Sequence, residues 1–171
     1  LEILFKYDMD PTDDMIRMTI ETVDEKNIIP TIKLLLKYGQ DINAEDSFGN
    51  TPLISASTQE YPDVTQFLLD NGAIVDYMNR DGKTALMIAV EHNKFETIKV
   101  LIKNKANLKL KDRNYNLVID YATNLKIAKF LLEEGIDINT IQNIKILKML
   151  YRDQERIIQE QNQRIADILS F

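Results

Sequence analysis

GNTPLISA at residues 49–56 returns as GKTALMIA at residues 82–89. The offset is 33 residues from Gly49 to Gly82, from Thr51 to Thr84, from Leu53 to Leu86 and from Ala56 to Ala89. The segments that follow keep the same step. FLLDNGAIVD at 67–76 lines up with VLIKNKANLK at 100–109, so Leu68 and Leu101 are also 33 apart. One unit earlier stands LLLKYGQDIN at 34–43, and one unit later FLLEEGIDIN at 130–139. A fixed period of this length marks a chain of stacked supersecondary units.

Each unit reads as two helices. Thr51 and Thr84 are suited to cap the first, and Pro52 is tolerated at its first position, where the missing N–H had no intrahelical partner. Leu53 and Ala56, like Leu86 and Ala89, fall three residues apart on one face. The small Ala lets neighbouring helices approach. FETIKVLIK at 95–103 predicts the second helix, with Ile98, Leu101 and Ile102 on one stripe. Gly72 and Gly135 sit where such a helix ends in the left-handed conformation. No unit can bury its apolar face alone, so neighbours share a continuous core.

These residues resemble the ankyrin repeat, a 33-residue unit of β-turn and two antiparallel helices. TPL at 51–53 and TAL at 84–86 stand for the family's T-P-L-H, with Ile54 and Met87 in place of its His. The resemblance covers about residues 1–139 and implies an all-α ankyrin-repeat solenoid of helix-turn-helix units with short β-turn tips. The units are expected at 1–12 (partial), 13–43, 44–76, 77–109 and 110–139, with a helical cap or extension over 140–171. Two units depart from the pattern. The one at 13–43 lacks TPL and runs two residues short. The one at 112–139 has Tyr115 for the turn Gly and Leu117 for Thr, and three residues are missing from Ala122 to Leu131, which places the deletion between its helices.

The opening stretch, LEILFKYDMDPTDD, holds Asp8, Asp10 and Thr12 in the D-x-D-x-T spacing of a phosphoryl-transfer site. That chemistry needs a buried parallel strand in a doubly wound sheet. Alignment of LFKYDMDPT at 4–12 with LLKYGQDIN at 35–43 makes it instead a helix end and the turn that leaves it.

Composition narrows the function classes. The chain has 171 residues, no Cys and one His, and a net charge of -6. Without Cys there are no disulfides, thiolate nucleophiles or thiolate metal sites. The charge argues against general attraction to nucleic acid or anionic membranes. No apolar run approaches a membrane span, no signal-peptide pattern is visible, and no N-x-S/T sequon occurs. These features fit an intracellular protein, in a cytoplasm or host cytoplasm. Ile, Asn and Lys number 23, 14 and 15 against six Arg. That AT-rich bias and the repeat together resemble proteins of large DNA viruses or intracellular bacteria. The chain starts without Met, which reads as a fragment or a trimmed chain.

From Asn143 to Phe171 there is no Gly or Pro. Leu147, Leu150, Tyr151, Ile157, Ile158, Ile165, Ile168 and Leu169 fall on one helical stripe. One long helix of about 40 Å is expected, or two broken around Tyr151-Arg152-Asp153. Leu147 and Leu150 are expected to cover the core of the last unit. The part from 155 to 171 either continues the cap or pairs with a partner or a second copy. Gln154 and Gln161 in the stripe weaken a coiled coil.

The resemblance implies a protein-binding surface on the turn tips and the face of the first, inner helices. Carried over by position, the tips are Phe48 and Asn50, then Arg80, Asp81 and Lys83, then Arg113, Asn114 and Tyr115, flanked by Ser47 and Asn116. The helix ends are Thr58 and Gln59, then Glu91 and His92. Phe48 and Tyr115 are the best anchors, since exposed aromatics and Arg concentrate binding energy. Phe48 folding back on its turn, and Tyr115 packing against the next segment, are the alternatives. His92 reads as a surface residue, because a lone His without Cys makes a poor metal site. Residues 91–130 carry nine Lys or Arg against four acids, either as a solvated face or as a site for an acidic partner. No metal, cofactor or catalytic group is expected. The reading is a protein-interaction module with an interface of roughly 1,600 Å². The alternatives are the targeting part of a larger effector or enzyme and a homo-oligomer built on the last helix.

Overall fold

The computed structural model describes residues 15–169, with side chains described through residue 164. The Asp8, Asp10 and Thr12 reading, the partial unit at 1–12 and the side chains of Ile165, Ile168 and Leu169 lie outside the described residues. Among those described, the chain is all-α. Eight helices run as α1 (Met15–Thr22), α2 (Glu25–Lys37), α3 (Pro52–Ala56), α4 (Pro62–Asp70), α5 (Ala85–Glu91), α6 (Phe95–Lys103), α7 (Leu125–Glu133) and α8 (Ile144–Leu169). Single 3-10 turns occupy Val118–Tyr121 and Ile138–Thr140.

The helices form two rows. α1, α3, α5 and the 3-10 turn at Val118–Tyr121 stand side by side in one, and α2, α4 and α6 in the other. The caps expected from the sequence are present: the Thr51 hydroxyl accepts from the Ile54 N–H at 3.4 Å and that of Thr84 from the Met87 N–H at 3.3 Å. Repeat positions are buried alike. Leu35, Leu68, Leu101 and Leu131 are fully inaccessible, as are Ala56 and Ala89. The small Ala at the crossing of first helices explains their close row, since a longer side chain there would hold adjacent helices apart.

The last unit corrects one expectation. Its three missing residues are taken from the first helix, not from the connection. α5 has seven residues, whereas its counterpart at Val118–Tyr121 has four and winds as a 3-10 turn. The connections before α6 and α7, residues 92–94 and 122–124, are equal in length. A single turn cannot complete the i to i−4 bonding of an α-helix, and the tighter i to i−3 pattern replaces it.

The C-terminal segment is one helix, α8, unbroken at Tyr151-Arg152-Asp153. Its docking face keeps the expected Leu147 and Leu150 but is centred on Ile146. Ile146 is the apolar residue it buries fully, with Leu147, Met149 and Leu150 half-buried against the same core. Tyr151, Ile157 and Ile158, expected on that stripe, face solvent. Asp153, at the proposed break, is instead buried and pinned by the Lys129 ammonium of α7 and by Arg156 at 3.0 Å. From residue 154 to 164 every side chain is exposed.

Candidate protein-binding surface

Three turns repeat along one edge of the stack, at 46–50, 79–83 and 112–116. Each is organised by its first residue, Asp46, Asn79 or Asp112. The backbone N–H of that residue donates to the carbonyl four residues on, at 3.0–3.1 Å. Its side-chain Oδ1 accepts two backbone N–H groups: Phe48 and Asn50 in the first turn, Asp81 and Lys83 in the second, Asn114 and Asn116 in the third, all at 2.8–3.0 Å. These three organisers were missed in the sequence although they too stand 33 apart. The signal is a change between Asp and Asn that keeps the one acceptor oxygen the turn uses.

Neighbouring turns are joined through their backbones. The Arg80 N–H donates to the Phe48 carbonyl at 3.0 Å, and the Arg113 N–H to the Asp81 carbonyl at 3.1 Å. Asn79 adds a side-chain bond to Asn50 at 2.9 Å. The joint depends on glycine. Gly49 and Gly82 both have φ of +76°, and a Cβ on them would lie 3.0 Å from the Arg80 N and 2.8 Å from the Arg113 N. Tyr115 takes the same backbone conformation at φ +65°, but no described turn stacks beyond it, and its side chain leaves into solvent.

Gly82→Ala is therefore expected to lower unfolding free energy by roughly 2 kcal/mol or more, from left-handed strain plus the overlap. Tyr115→Gly is expected to raise it by about 1 kcal/mol by relieving strain alone. Urea titrations of both variants against the parent check the opposite signs.

Placed on this frame, the expected site residues divide. Phe48 is 70% exposed and Tyr115 71%, so neither folds back nor packs on a following segment. Arg80, Asp81, Arg113 and Asn114 are exposed on the row between them, and His92 is exposed at the end of α5. The others are partly engaged inside the protein. Lys83 pairs with Glu91 at 2.7 Å and lies 4.6 Å over the Tyr121 ring of the next unit. Asn50 is half-buried in the bond to Asn79. The Thr58 hydroxyl donates to the Ser55 carbonyl, and the Gln59 carbonyl accepts from Thr97 of α6.

Two of the organisers carry charge. Burial would raise the Asp46 carboxyl, but hydrogen bonds from Asn50 and Phe48, with Arg17 nearby, outweigh it and hold the group below the usual carboxylate range. At Asp112 burial is likewise outweighed, by hydrogen bonds from Tyr121, Asn116 and Asn114. Burial first, and then the bond to Asp112, raise the Tyr121 hydroxyl, which keeps it a donor. A depressed carboxylate contributes stability that is present above its unfolded pKa of about 3.9 and is lost as pH falls through its folded value. Asn79 does not titrate. In an acid titration followed by amide NMR, the turns at 46–50 and 112–116 are expected to loosen before that at 79–83. Asp46→Asn with Asp112→Asn should flatten the acid limb.

The repeated turns and paired helix rows can now be set beside known sequences. A family profile described as ankyrin repeats, three copies, matches residues 20–112 and 77–142. This chain belongs to the ankyrin-repeat family. Over 122 residues it is 30% identical to an ankyrin repeat protein of fowlpox virus, covering 71% of this chain and 18% of that protein. An ankyrin repeat domain-containing protein of monkeypox virus is 30% identical over 136 residues, covering 74% of this chain and 26% of that one. Human protein phosphatase 1 regulatory subunit 27 is 47% identical over a shorter stretch of 51 residues, 30% of this chain and 33% of that protein. The expectation of relatives among large DNA viruses is met. This ankyrin-repeat chain spans only about a fifth to a quarter of the length of the two poxvirus relatives. Among the described residues, no helix is long and apolar enough to cross a membrane.

Proposed function

We propose that this ankyrin-repeat chain is a protein-binding module with no catalysis of its own, acting inside a cell. The observation that carries the reading is the tip row: Phe48, Arg80, Asp81, Arg113 and Tyr115 stand exposed on turns joined backbone to backbone. Rigid support lowers the ordering cost of binding, so exposed aromatic and Arg side chains there yield more net affinity than they would on free loops. Ankyrin repeats in general serve protein–protein interaction, and a relative named as a phosphatase regulatory subunit supports binding as the role.

Phe48→Ala combined with Arg80→Ala is expected to weaken partner capture at least tenfold in a quantitative pull-down from native host lysate, with the melting temperature unchanged. Phe48 packs on nothing that folding needs, and the Arg80 joint uses its backbone N–H, which the substitution keeps. Unchanged yield would move the binding surface elsewhere.

A second reading is favoured by the greater length of the poxvirus relatives. There these repeats serve as the targeting part of a longer protein whose chemistry lies outside them. Pairing of two copies through 155–171 is a third, supported by the exposed Tyr151, Ile157 and Ile158 on α8. Light scattering with and without 155–171 reads it directly.

A further inference from the structure

The junction between the last two units is built differently from those before it. At the first, the Asn43 side chain bridges to the next loop, accepting from the Ile74 N–H at 2.9 Å and donating to the Gly72 carbonyl at 3.1 Å. At the second, Asp76 stands 33 residues on and accepts from the Asn107 N–H at 2.9 Å. At the third, the same step reaches Lys109. An ammonium has no acceptor, so this bridge cannot form. The loops 105–111 and 134–142 stand apart around an open groove of about 1060 Å³.

The tip row ends at the same place. The Phe48 and Asp81 carbonyls each accept an N–H from the following turn. The third carbonyl in that series belongs to Asn114, and among the described residues no turn follows to claim it. One wall of the groove carries Lys105, Lys109 and Lys111, all exposed and none in an ion pair among the described residues. Its floor is apolar, with Leu108, Ile136 and Ile141. Glu134 and Asp137 lie on the opposite loop, and Asp76 also lines the groove, its carboxylate held on the Asn107 N–H.

We propose that this groove takes an extended acidic segment of a partner protein, its carboxylates on Lys105, Lys109 and Lys111 and its aliphatic side chains on the Leu108–Ile136–Ile141 floor. Alternate side chains of an extended chain point to opposite sides, which matches a cationic wall beside an apolar floor. The acids of the far loop keep the segment's carboxylates on the lysine side. The inference rests on the protein-binding reading and adds a second surface to it with stated chemistry.

The test uses a fluorescein-labelled nine-residue peptide of alternating Glu and Val, with a Lys and Val counterpart, in anisotropy titrations on the full chain. The Glu peptide is expected to bind at least tenfold tighter than the Lys peptide. Its affinity should fall at least tenfold in Lys109→Glu with Lys111→Glu, whose melting temperature stays that of the parent because both positions are exposed. Amide shifts should cluster at 104–111 and 134–142. Phe48→Ala with Arg80→Ala should change the affinity less than twofold, so failure here and failure of the tip-row reading are told apart. Equal binding of the two peptides, no binding, binding indifferent to the charge reversal, or shifts confined to the tips at 47–50 and 80–83 would overturn the proposal. Self-association abolished by Lys109→Glu would overturn it too, in favour of a second copy as the occupant.

Discussion

Leu101→Ala is expected to lower unfolding free energy by about 2–5 kcal/mol, the range for deleting a buried Leu side chain where the site collapses only in part. Leu101 is fully inaccessible in α6. That helix packs on α5 of its own unit and on α4 of the preceding one, so one truncation opens a void inside a unit and at an interface. Stability of a repeat array is roughly a sum of unit and nearest-neighbour terms. Weakening a central unit therefore uncouples those on either side, and the cost should sit toward the upper end. Against a typical total of about 5–15 kcal/mol, this is a large fraction, equivalent to roughly 10 °C in melting temperature for a chain of this size. Leu35→Ala, nearer the described N-terminal end, is the comparison. Guanidinium melts that show Leu35→Ala costing as much as or more than Leu101→Ala would contradict the nearest-neighbour account.

Asp120→Ala is expected to cost about 3 kcal/mol and to release α8. Asp120 is buried in the 3-10 turn of the last unit. One carboxylate oxygen accepts the Leu117 N–H at 3.0 Å, while the other accepts Gln142 and Asn143 at 2.9 and 3.0 Å. Asn143 returns a side-chain bond to the Asp120 carbonyl at 2.8 Å, and its own backbone carbonyl accepts the Ile146 N–H as α8 begins. The carboxylate thus stands in for the shortened helix and holds the start of the cap helix at once. Removing it leaves three N–H donors without their acceptor. Hydrogen bonds to a charged group contribute about 1.5–3 kcal/mol each, and a buried orphan costs about 1–3 kcal/mol, partly recovered by water where the site opens. Hydrogen exchange over 144–153 should accelerate well beyond that over α5 and α6. Exchange that rises uniformly along the chain would show that Asp120 stabilises the stack as a whole and does not latch α8. Asp120→Asn, which retains one acceptor, should fall between the two.

Much of the architecture was legible because its causes are local or nearest-neighbour. Thr51 and Thr84 announce helix starts through a bond only three residues long. Gly49 and Gly82 announce turns through a backbone conformation that side chains resist. The candidate surface was legible in part. Phe48 and Tyr115 were read as exposed anchors from repeat position, and they are exposed. Lys83 and Glu91, both candidates by repeat position, instead pair with each other once α5 folds, and Lys83 lies over Tyr121 of the next unit. No spacing rule for turns announces an ion pair between residues eight apart in the chain.

The period and the helix signals determined, from sequence alone, that units of one kind must stack, since none holds a core of its own. Only the tertiary structure decided where the deleted residues came from, which face of α8 docks, and which lysines stay unpaired. Those outcomes turn on distances between units. The expected stripe of Leu147, Leu150 and Tyr151 is turned so that Ile146 is buried, Tyr151 is exposed and the buried Asp153 meets Lys129 of α7, and that meeting exists only when both helices are in place.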